Sequence, residues 1–143
     1  MTRVIAIDPG HKKCGILLAD LEQELVLDGR VVATDAVIDL VVRWSVDEDL
    51  DGIVLGNGTS SKYWENKLKG FAPIQVVEES GTTLRARDRY WEIWPPRILI
   101  RWLPRGMLVP WKHLDAVAAL VLLEDHLDKK LNWSGLADFR ISP

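Results

Sequence analysis

The sequence predicts an α/β protein built on a five-stranded mixed sheet, in which three antiparallel strands are followed by two parallel ones and helices cover both faces. Two observations lead to this prediction. Three strand-like segments with short connections come first along the chain, which is typical of an antiparallel meander. Strand-like and helix-like segments then alternate, which indicates parallel strands joined through helices. The chain has 143 residues, of which 48% are hydrophobic and 27% charged, so we expect residues 1–143 to form a single globular domain.

The first three strands are predicted from apolar runs near the N-terminus. Residues 4–7 form a continuous apolar run that ends at Asp8-Pro9-Gly10, which is typical of a central buried strand stopped by a turn. Residues 14–19 and 24–33 give the second and third strands, and Asp28-Gly29 predicts a bulge or bend in the third. The short connections between these runs predict that neighbouring strands are antiparallel.

Capping residues, glycines and prolines mark the ends of the remaining predicted elements. In chain order these are a helix capped by Thr34 or Asp35 that runs through Val46, a strand at 52–56, a helix capped by Thr59 or Ser60 that stops at Gly70, a strand at 73–77, a helix capped by Thr82 or Thr83 that ends at Pro95-Pro96, and a last long helix from Lys112 to about Leu131. Between the last two helices, residues 97–110 predict a short helix plus a loop.

The net charge of −3 conceals one basic segment that is also rich in tryptophan. Residues 84–113 carry seven Lys and Arg side chains and only two acidic ones, together with four tryptophans. A basic, aromatic segment of this kind indicates a surface that faces phosphates. The alternative, which the sequence leaves open, is that the charges solvate helix faces while the tryptophan rings fill the core.

Other features of the composition exclude several classes of protein. The longest clean apolar run, residues 116–123, is much shorter than the ~18 residues of a membrane span, so we expect no membrane association. The N-terminus shows no targeting segment, and we expect a cytoplasmic protein. Cys14 is the only cysteine, which excludes an intrachain disulfide and a cysteine-based zinc site.

Acidic residues fall at three places where a mixed-sheet protein carries its chemistry. Asp8 ends the first strand, Glu78-Glu79 follow the fifth, and Asp115 lies near the start of the alanine-containing last helix. A carboxylate in apolar surroundings is costly unless a cation meets it, and Mg²⁺ and Mn²⁺ prefer oxygen ligands. Taken singly, each acid is also explained as an ordinary strand-end or helix-start carboxylate. Only their combination favours a site for a divalent metal.

Residues 5–15, which contain Asp8-Pro9-Gly10, resemble the first-strand motif of the YqgF branch of the RuvC-like nucleases, which have the ribonuclease H fold. Residues 53–59, 77–83 and 114–122 resemble, in the expected order, the fourth strand with its turn, the Asp-Glu-Arg motif and the acidic motif of the last helix. The resemblance implies a ribonuclease-H-like fold and metal-dependent hydrolysis of phosphodiester bonds. It further implies maturation of precursor 16S ribosomal RNA, or a resolvase-like cleavage of Holliday junctions and other branched or single-stranded DNA.

By this resemblance, Asp8, Glu79 and Asp115 are the catalytic carboxylates and the ligands of Mg²⁺ or Mn²⁺, in what is expected to be a two-metal site. Glu79 matches the glutamate of the family motif and Glu78 replaces an aspartate, and the choice between them stays open. The chain departs from the pattern at Ser80-Gly81, where the motif often has arginine and a leucine-like residue. Gly56-Asn57 stands where the resolvases carry an acid, which favours the YqgF branch.

Four basic residues are candidates for binding the substrate. They are Lys12, Lys62, Arg85 and Arg89. Lys12 lies in the turn after Asp8, and Lys62 lies at a predicted helix start, where backbone amides favour an anion. The two arginines are four residues apart and share a helix face. The predicted partner is therefore nucleic acid, either RNA or branched or single-stranded DNA, and a homodimer stays open.

Two other classes of function compete with a nuclease. The first is a non-catalytic module that uses the same fold to bind nucleic acid or a transcription or ribosome factor. The second is a sugar-kinase-like ATPase, because Asp-x-Gly after a strand also opens that class of phosphate site. The length of 143 residues disfavours the ATPase, since that architecture needs two such lobes.

Overall fold

The structure, a computed structural model, describes residues 2–58, 60–78, 82–93, 114–133 and 139–141. Its strands are β1 (Arg3–Asp8), β2 (Lys13–Asp20), β3 (Leu25–Ala33), β4 (Gly52–Gly56), β5 (Ile74–Val77) and β6 (Phe139–Ile141). They form one sheet in the order β5-β4-β1-β2-β3-β6. Strands β1, β2 and β3 are antiparallel neighbours, whereas β4 is parallel to β1 and β5 is parallel to β4. The predicted five-stranded mixed sheet is confirmed.

The sheet also contains a strand that the sequence analysis did not predict. Strand β6 pairs in parallel with β3 and extends the sheet by one strand at that edge. It has only three residues, Phe139–Ile141. A run this short has no periodicity from which a strand could be predicted.

The bulge predicted in β3 near Asp28-Gly29 is confirmed. Leu18 of β2 pairs with Asp28, but the next residue, Ala19, pairs with Val26, so the register shifts and Leu27 has no partner residue on β2.

The helices are α1 (Val37–Asp47), α2 (Ser61–Leu68), α3 (Thr82–Ile93) and α4 (Leu114–Leu127), and a short 3-10 turn at Thr34–Ala36 precedes α1. The first three occupy the predicted positions to within a few residues. The N-cap position of α1 is Ala36 rather than the predicted Thr34 or Asp35. The N-cap position of α2 is Ser60, one of the two predicted residues, although its side chain makes no capping hydrogen bond. The predicted short helix and loop at 97–110 lie outside the described residues.

Alternation of side chains along the strands divides the core between the two faces of the sheet. On one face, Val4 and Ala6 of β1 pack against α4, which is buried continuously from Ala116 to Glu124. We call this side the α4 face; α3 also covers it through the buried Ala86. On the opposite face, the alternate residues of β1 pack with buried residues of α1 and α2. Helices therefore cover both faces, as predicted.

Helix α4 ends at Leu127, four residues before the predicted end. Asp128 takes a left-handed backbone conformation, with φ of 55°. The amide of Lys129 donates to the carbonyl of Glu124 at 3.2 Å, and the amide of Asp128 donates to the carbonyl of Asp125 at 3.3 Å. These two bonds close the helix in the pattern that a glycine usually provides. The prediction of a helix to Leu131 was wrong because no glycine marks this turn.

No helix among the described residues is both long enough and apolar enough to cross a membrane.

Candidate metal centre

The carboxyl ends of three parallel strands define the edge of the sheet where the candidate site lies. Ile7 of β1 is level with Leu55 of β4, and Gly56 of β4 is level with Val77 of β5. The amide of Asn57 donates to the carbonyl of Val77 at 2.7 Å, which continues this alignment just past the strands. Asp8, the last residue of β1, is therefore delivered to the same edge as the ends of β4 and β5. Ligands commonly bind at such an edge in α/β proteins.

Two of the predicted carboxylates are brought together across β2 by a glycine. Asp8 is half-buried, pairs with Gly15 of β2, and follows Val4 and Ala6 on the α4 face. A Cβ atom on Gly15 would overlap the backbone carbonyl of Asp115. The first turn of α4 therefore sits directly on Gly15, so that Asp115 lies beside the strand position next to Asp8. A side chain at position 15 would separate these two acids.

The buried thiol of Cys14 responds electrostatically to both acids. Burial raises the pKa of Cys14, and the charges of Asp8 and Asp115 raise it further. Hydrogen bonds to the carbonyl of Gly10 and to the hydroxyl of Thr34 partly offset these effects by lowering the pKa. The net result is a pKa above the ordinary thiol value of 9.0, so Cys14 is a neutral thiol at physiological pH. Both carboxylates are thus close enough to act on the same residue.

Thr34 fixes the loop that follows Asp8. Its amide donates to the carbonyl of Lys12 at 3.1 Å, and its hydroxyl lies 3.3 Å from the carbonyl oxygen of Gly10 and 3.2 Å from that of His11. Thr34, which directly follows β3, thereby contacts three consecutive carbonyl groups. The side chains of His11 and Lys12 remain exposed. The loop is held by its backbone, which leaves Lys12 available for the predicted contact with substrate.

Lys13 also belongs to this cluster, although it is not one of the four predicted substrate-binding residues. It is the first residue of β2 and alternates with Gly15 and Leu17, so it belongs to the α4 face. Its Nζ atom lies 3.6 Å from Oδ2 of Asp115, and its side chain is 65% exposed. Counting alternate positions from Gly15 could have placed Lys13 on this face. Its contact with Asp115 depends on the docking of α4, which the sequence does not reveal.

The predicted substrate pair Arg85 and Arg89 faces α4 and is engaged there. Arg85 forms an ion pair with Asp125 while its side chain stays 46% exposed. Arg89 is only 14% exposed and donates to both carboxylate oxygens of Glu124, each at 3.0 Å. It also donates to the carbonyl of Leu131 at 2.9 Å. The two arginines share one face, as expected for residues four apart on a helix, and substrate binding by them stays a prediction.

The guanidinium of Arg89 is held as part of the contact between α3 and α4. Burial tends to lower its pKa, but the hydrogen bonds and charges of Glu124 and Glu92 outweigh this and raise the pKa above its ordinary value. Oε2 of Glu124 also accepts the amide of Leu131 at 2.8 Å. Arg89 and Glu124 therefore satisfy each other inside the fold, which favours a structural role for this arginine.

Lys62 lies in the first turn of α2, is exposed, and follows the carboxyl end of β4. It is therefore close in the chain to the sheet edge that carries Asp8, and substrate binding by Lys62 stays a prediction. Glu78 follows β5 directly and is exposed. Glu79 lies outside the described residues, so the choice between the two glutamates also stays a prediction.

The side chains at this corner fit a divalent ion by their chemistry. Asp8 and Asp115 offer the oxygen donors that Mg²⁺ and Mn²⁺ prefer. Lys13 already places a positive charge against Asp115. Within the described part of the chain, no three His, Cys, Asp or Glu side chains are grouped so that they could hold a metal. A complete site therefore requires a further ligand, for which Glu79 is the candidate from the sequence.

The sheet order β3-β2-β1-β4-β5, with helices on both faces, defines the class of the protein as ribonuclease-H-like in fold. Solved structures with this arrangement include the Holliday junction resolvase of fowlpox virus, with a TM-score of 0.57 and 14% identity over 88% of this chain and 96% of that one. The fowlpox virus resolvase in complex with substrate Holliday junction DNA gives a TM-score of 0.54 and 13% identity over 88% and 99% of the two chains. At these identities the likeness shows the fold alone.

Comparisons of sequence give much less information about the class of the protein than comparisons of structure. No protein-family model matches the chain. The phosphoribosylformylglycinamidine synthase subunit PurL of Campylobacter curvus is 23% identical over 93 residues, which are 63% of this chain. The chain spans only 13% of the length of that protein.

Proposed function

We propose that this protein is a divalent-metal-dependent nuclease that hydrolyses phosphodiester bonds in nucleic acid. The observation that carries the proposal is the approach of Asp115 to Gly15, the strand neighbour of Asp8, at the carboxyl edge of the sheet. This approach supports a cluster of acids from opposite ends of the sequence. The ribonuclease-H-like fold and its likeness to resolvases support the same class of reaction.

Asp8, Asp115 and Glu79 are the residues that we propose to hold Mg²⁺ or Mn²⁺, as a two-metal site. The metal would supply Lewis acidity toward the scissile phosphate and toward the attacking water. The residues around the site position the metal ligands. Thr34 fixes the loop after Asp8, and the lack of a side chain at Gly15 allows the first turn of α4 to pack directly on β2. Lys12 and Lys62 neutralise the negative charge of the bound backbone. Such a site needs no serine or cysteine nucleophile, because phosphoryl transfer depends mainly on positioning and electrostatics.

The proposed substrate is RNA or branched or single-stranded DNA. The fowlpox virus resolvase was solved with substrate Holliday junction DNA, which supports branched DNA as a substrate for this fold. The motif resemblance to the YqgF branch, together with Gly56-Asn57 in place of an acid, supports precursor 16S ribosomal RNA as the principal substrate. We propose that the protein belongs to that branch and acts as one domain on nucleic acid in the cytoplasm.

The proposal is tested by nuclease assays on a panel containing a four-way DNA junction, single-stranded DNA and a precursor 16S RNA fragment. We expect cleavage that requires Mg²⁺ or Mn²⁺ and falls by at least about a hundredfold in Asp8→Asn and in Asp115→Asn, since even loss of an outer-shell partner of a metal costs 10–100-fold. Asp49→Asn is the matched control. Asp49 is exposed and precedes the amino end of β4, so it lies at the end of the strands opposite to Asp8.

Two results would contradict the proposal. Cleavage that survives unchanged in Asp8→Asn would show that the acid cluster is not catalytic. If the unmodified protein binds the nucleic acids of the panel tightly but shows no metal-dependent cleavage, the result would instead support the alternative that the protein is a non-catalytic nucleic-acid-binding module.

A further inference from the structure

We propose that Lys13 is a phosphate-binding residue of the candidate metal centre, and that Asp115 holds its ammonium group until a divalent ion binds. The inference rests on the proposed function, because it needs a metal at Asp8 and Asp115. It assigns to Lys13 a role that depends on the state of the centre. Before metal binding, Lys13 neutralises an acid; after metal binding, it faces the substrate.

The position of Lys13 is set by the sheet. Its backbone pairs with Ala33 of β3, and the adjacent Thr34 holds the preceding loop. Its place two residues before Gly15 puts it on the α4 face, where Asp115 lies. Lys12, the neighbouring residue, forms no ion pair within the described part of the chain, which fits its position in the loop. Of the two lysines, only Lys13 forms an ion pair with an acid of the cluster that the structure describes.

The strength of the contact favours its release when metal binds. The Nζ atom of Lys13 lies 3.6 Å from Asp115, and the two side chains are 65% and 36% exposed. An ion pair this exposed contributes little, because water screens it and the lysine chain loses freedom in forming it. A divalent ion carries twice the charge and coordinates the carboxylate directly. The metal therefore outcompetes the ammonium group for Asp115.

Once released, the ammonium group remains beside the centre on its flexible side chain. Lysine is a compact point charge with three donors and is a common ligand of phosphate groups. A phosphodiester at the centre would bring non-bridging oxygens, each carrying partial negative charge, next to the displaced lysine. Lys13 would then assist binding of the same phosphate that the metal polarises.

This role predicts that removing the charge of Lys13 changes the affinity for Mn²⁺ and the affinity for nucleic acid in opposite directions. Lys13→Gln eliminates the competitor for Asp115, so we expect Mn²⁺ to bind about two- to fivefold more tightly, in line with the size of exposed ion pairs. The same substitution removes a phosphate contact, so we expect weaker binding of nucleic acid in the presence of Mn²⁺. The dependence of that binding on salt concentration should fall by about one phosphate contact. A merely structural role would weaken both interactions.

The test uses the full chain stripped of metal. Calorimetric titration with MnCl₂ gives the metal affinity, and fluorescence anisotropy with a phosphorothioate DNA oligonucleotide, with and without Mn²⁺, gives nucleic-acid affinity. Lys12→Gln is the matched control for the metal titration, since it removes one positive charge from the adjacent position; it is not a control for nucleic-acid binding, because Lys12 is itself a proposed substrate contact. We expect the increase in Mn²⁺ affinity to be larger for Lys13→Gln than for Lys12→Gln.

The outcomes distinguish the proposed role of Lys13 from the proposed metal centre on which it depends. Equal or weaker Mn²⁺ binding by Lys13→Gln, or an equal gain in both variants, would overturn the role of Lys13 and leave the metal centre in place. A loss of oligonucleotide binding that is the same with and without Mn²⁺ would also overturn it. Failure of the unmodified protein and of both variants to bind Mn²⁺ would overturn the proposed metal centre itself.

Discussion

At the scale of single residues, Gly15 decides whether the two acids can approach. The apolar run of β2 predicts a buried strand at this position, but the reason for glycine emerges only from the docking of α4. The backbone carbonyl of Asp115 occupies the space in which a Cβ atom would lie. The sequence identified Asp8 and Asp115 as separate candidates. It could not show that a missing side chain on β2 is what brings them together.

Replacing Gly15 tests this close approach. We expect Gly15→Ala to lower the free energy of unfolding by about 1–3 kcal/mol, because overpacking forces α4 away from β2. Mn²⁺ affinity should fall as well, since Asp115 moves with the helix. Chemical denaturation and calorimetry measure the two effects.

Gly70→Ala is the matched control for that substitution. Among the described residues other than its two chain neighbours, no atom lies within 4 Å of a Cβ atom placed at Gly70, so we expect a change in stability within about 0.5 kcal/mol. Equal stability of Gly15→Ala and the unmodified protein would show that α4 does not rest on β2 as described.

The thiol of Cys14 gives a prediction for the dependence of stability on pH. Because the pKa of Cys14 in the folded protein is raised above 9.0, the folded state retains a proton that the unfolded state loses. The stabilisation is fully present below pH 9 and is lost as the pH rises through the folded pKa, at up to about 1.4 kcal/mol per pH unit. We expect denaturation curves between pH 8 and 10.5 to show a shallower loss of stability for Cys14→Ala. Parallel pH profiles of the two proteins would contradict the raised pKa.

At the scale of elements, positions could be predicted from the sequence better than ends and contacts. Apolar runs and alternating patterns located β1 to β5, because burial imposes a period on the sequence. The end of α4 could not be predicted, because Asp128 adopts a left-handed conformation without the glycine that usually signals it. The partners of Arg89 were also missed, because they come from α4 and the segment after it.

Two arginines of α3 provide a matched pair that separates buried from exposed ion pairs. Arg89 and Glu124 are 14% and 8% exposed, so Arg89→Met leaves a buried carboxylate without its cation. We expect a loss of about 3 kcal/mol in the free energy of unfolding. Arg85→Met removes an exposed pair with Asp125 and should cost less than about 1 kcal/mol. Urea denaturation of both variants tests the difference, and equal losses would contradict the buried network.

At the scale of the whole molecule, the fold brings together acids that are far apart in the sequence. The order of strands and helices predicted the mixed sheet, and the sheet delivers Asp8 to the edge over which α4 begins. What could not be predicted are the short strand β6 and the cation that Lys13 supplies, because both depend on contacts between distant segments. The basic segment 84–113 lies mostly outside the described residues, so its role in nucleic-acid binding stays a prediction.

The most direct measurement of the metal centre is a crystal structure of the protein soaked with Mn²⁺, in which anomalous scattering locates the metal. We expect a manganese peak in contact with the carboxylates of both Asp8 and Asp115, and its loss in crystals of Asp8→Asn. If the two carboxylates point to different sides of the sheet, or if manganese binds only elsewhere, the protein does not use these acids to bind a catalytic metal.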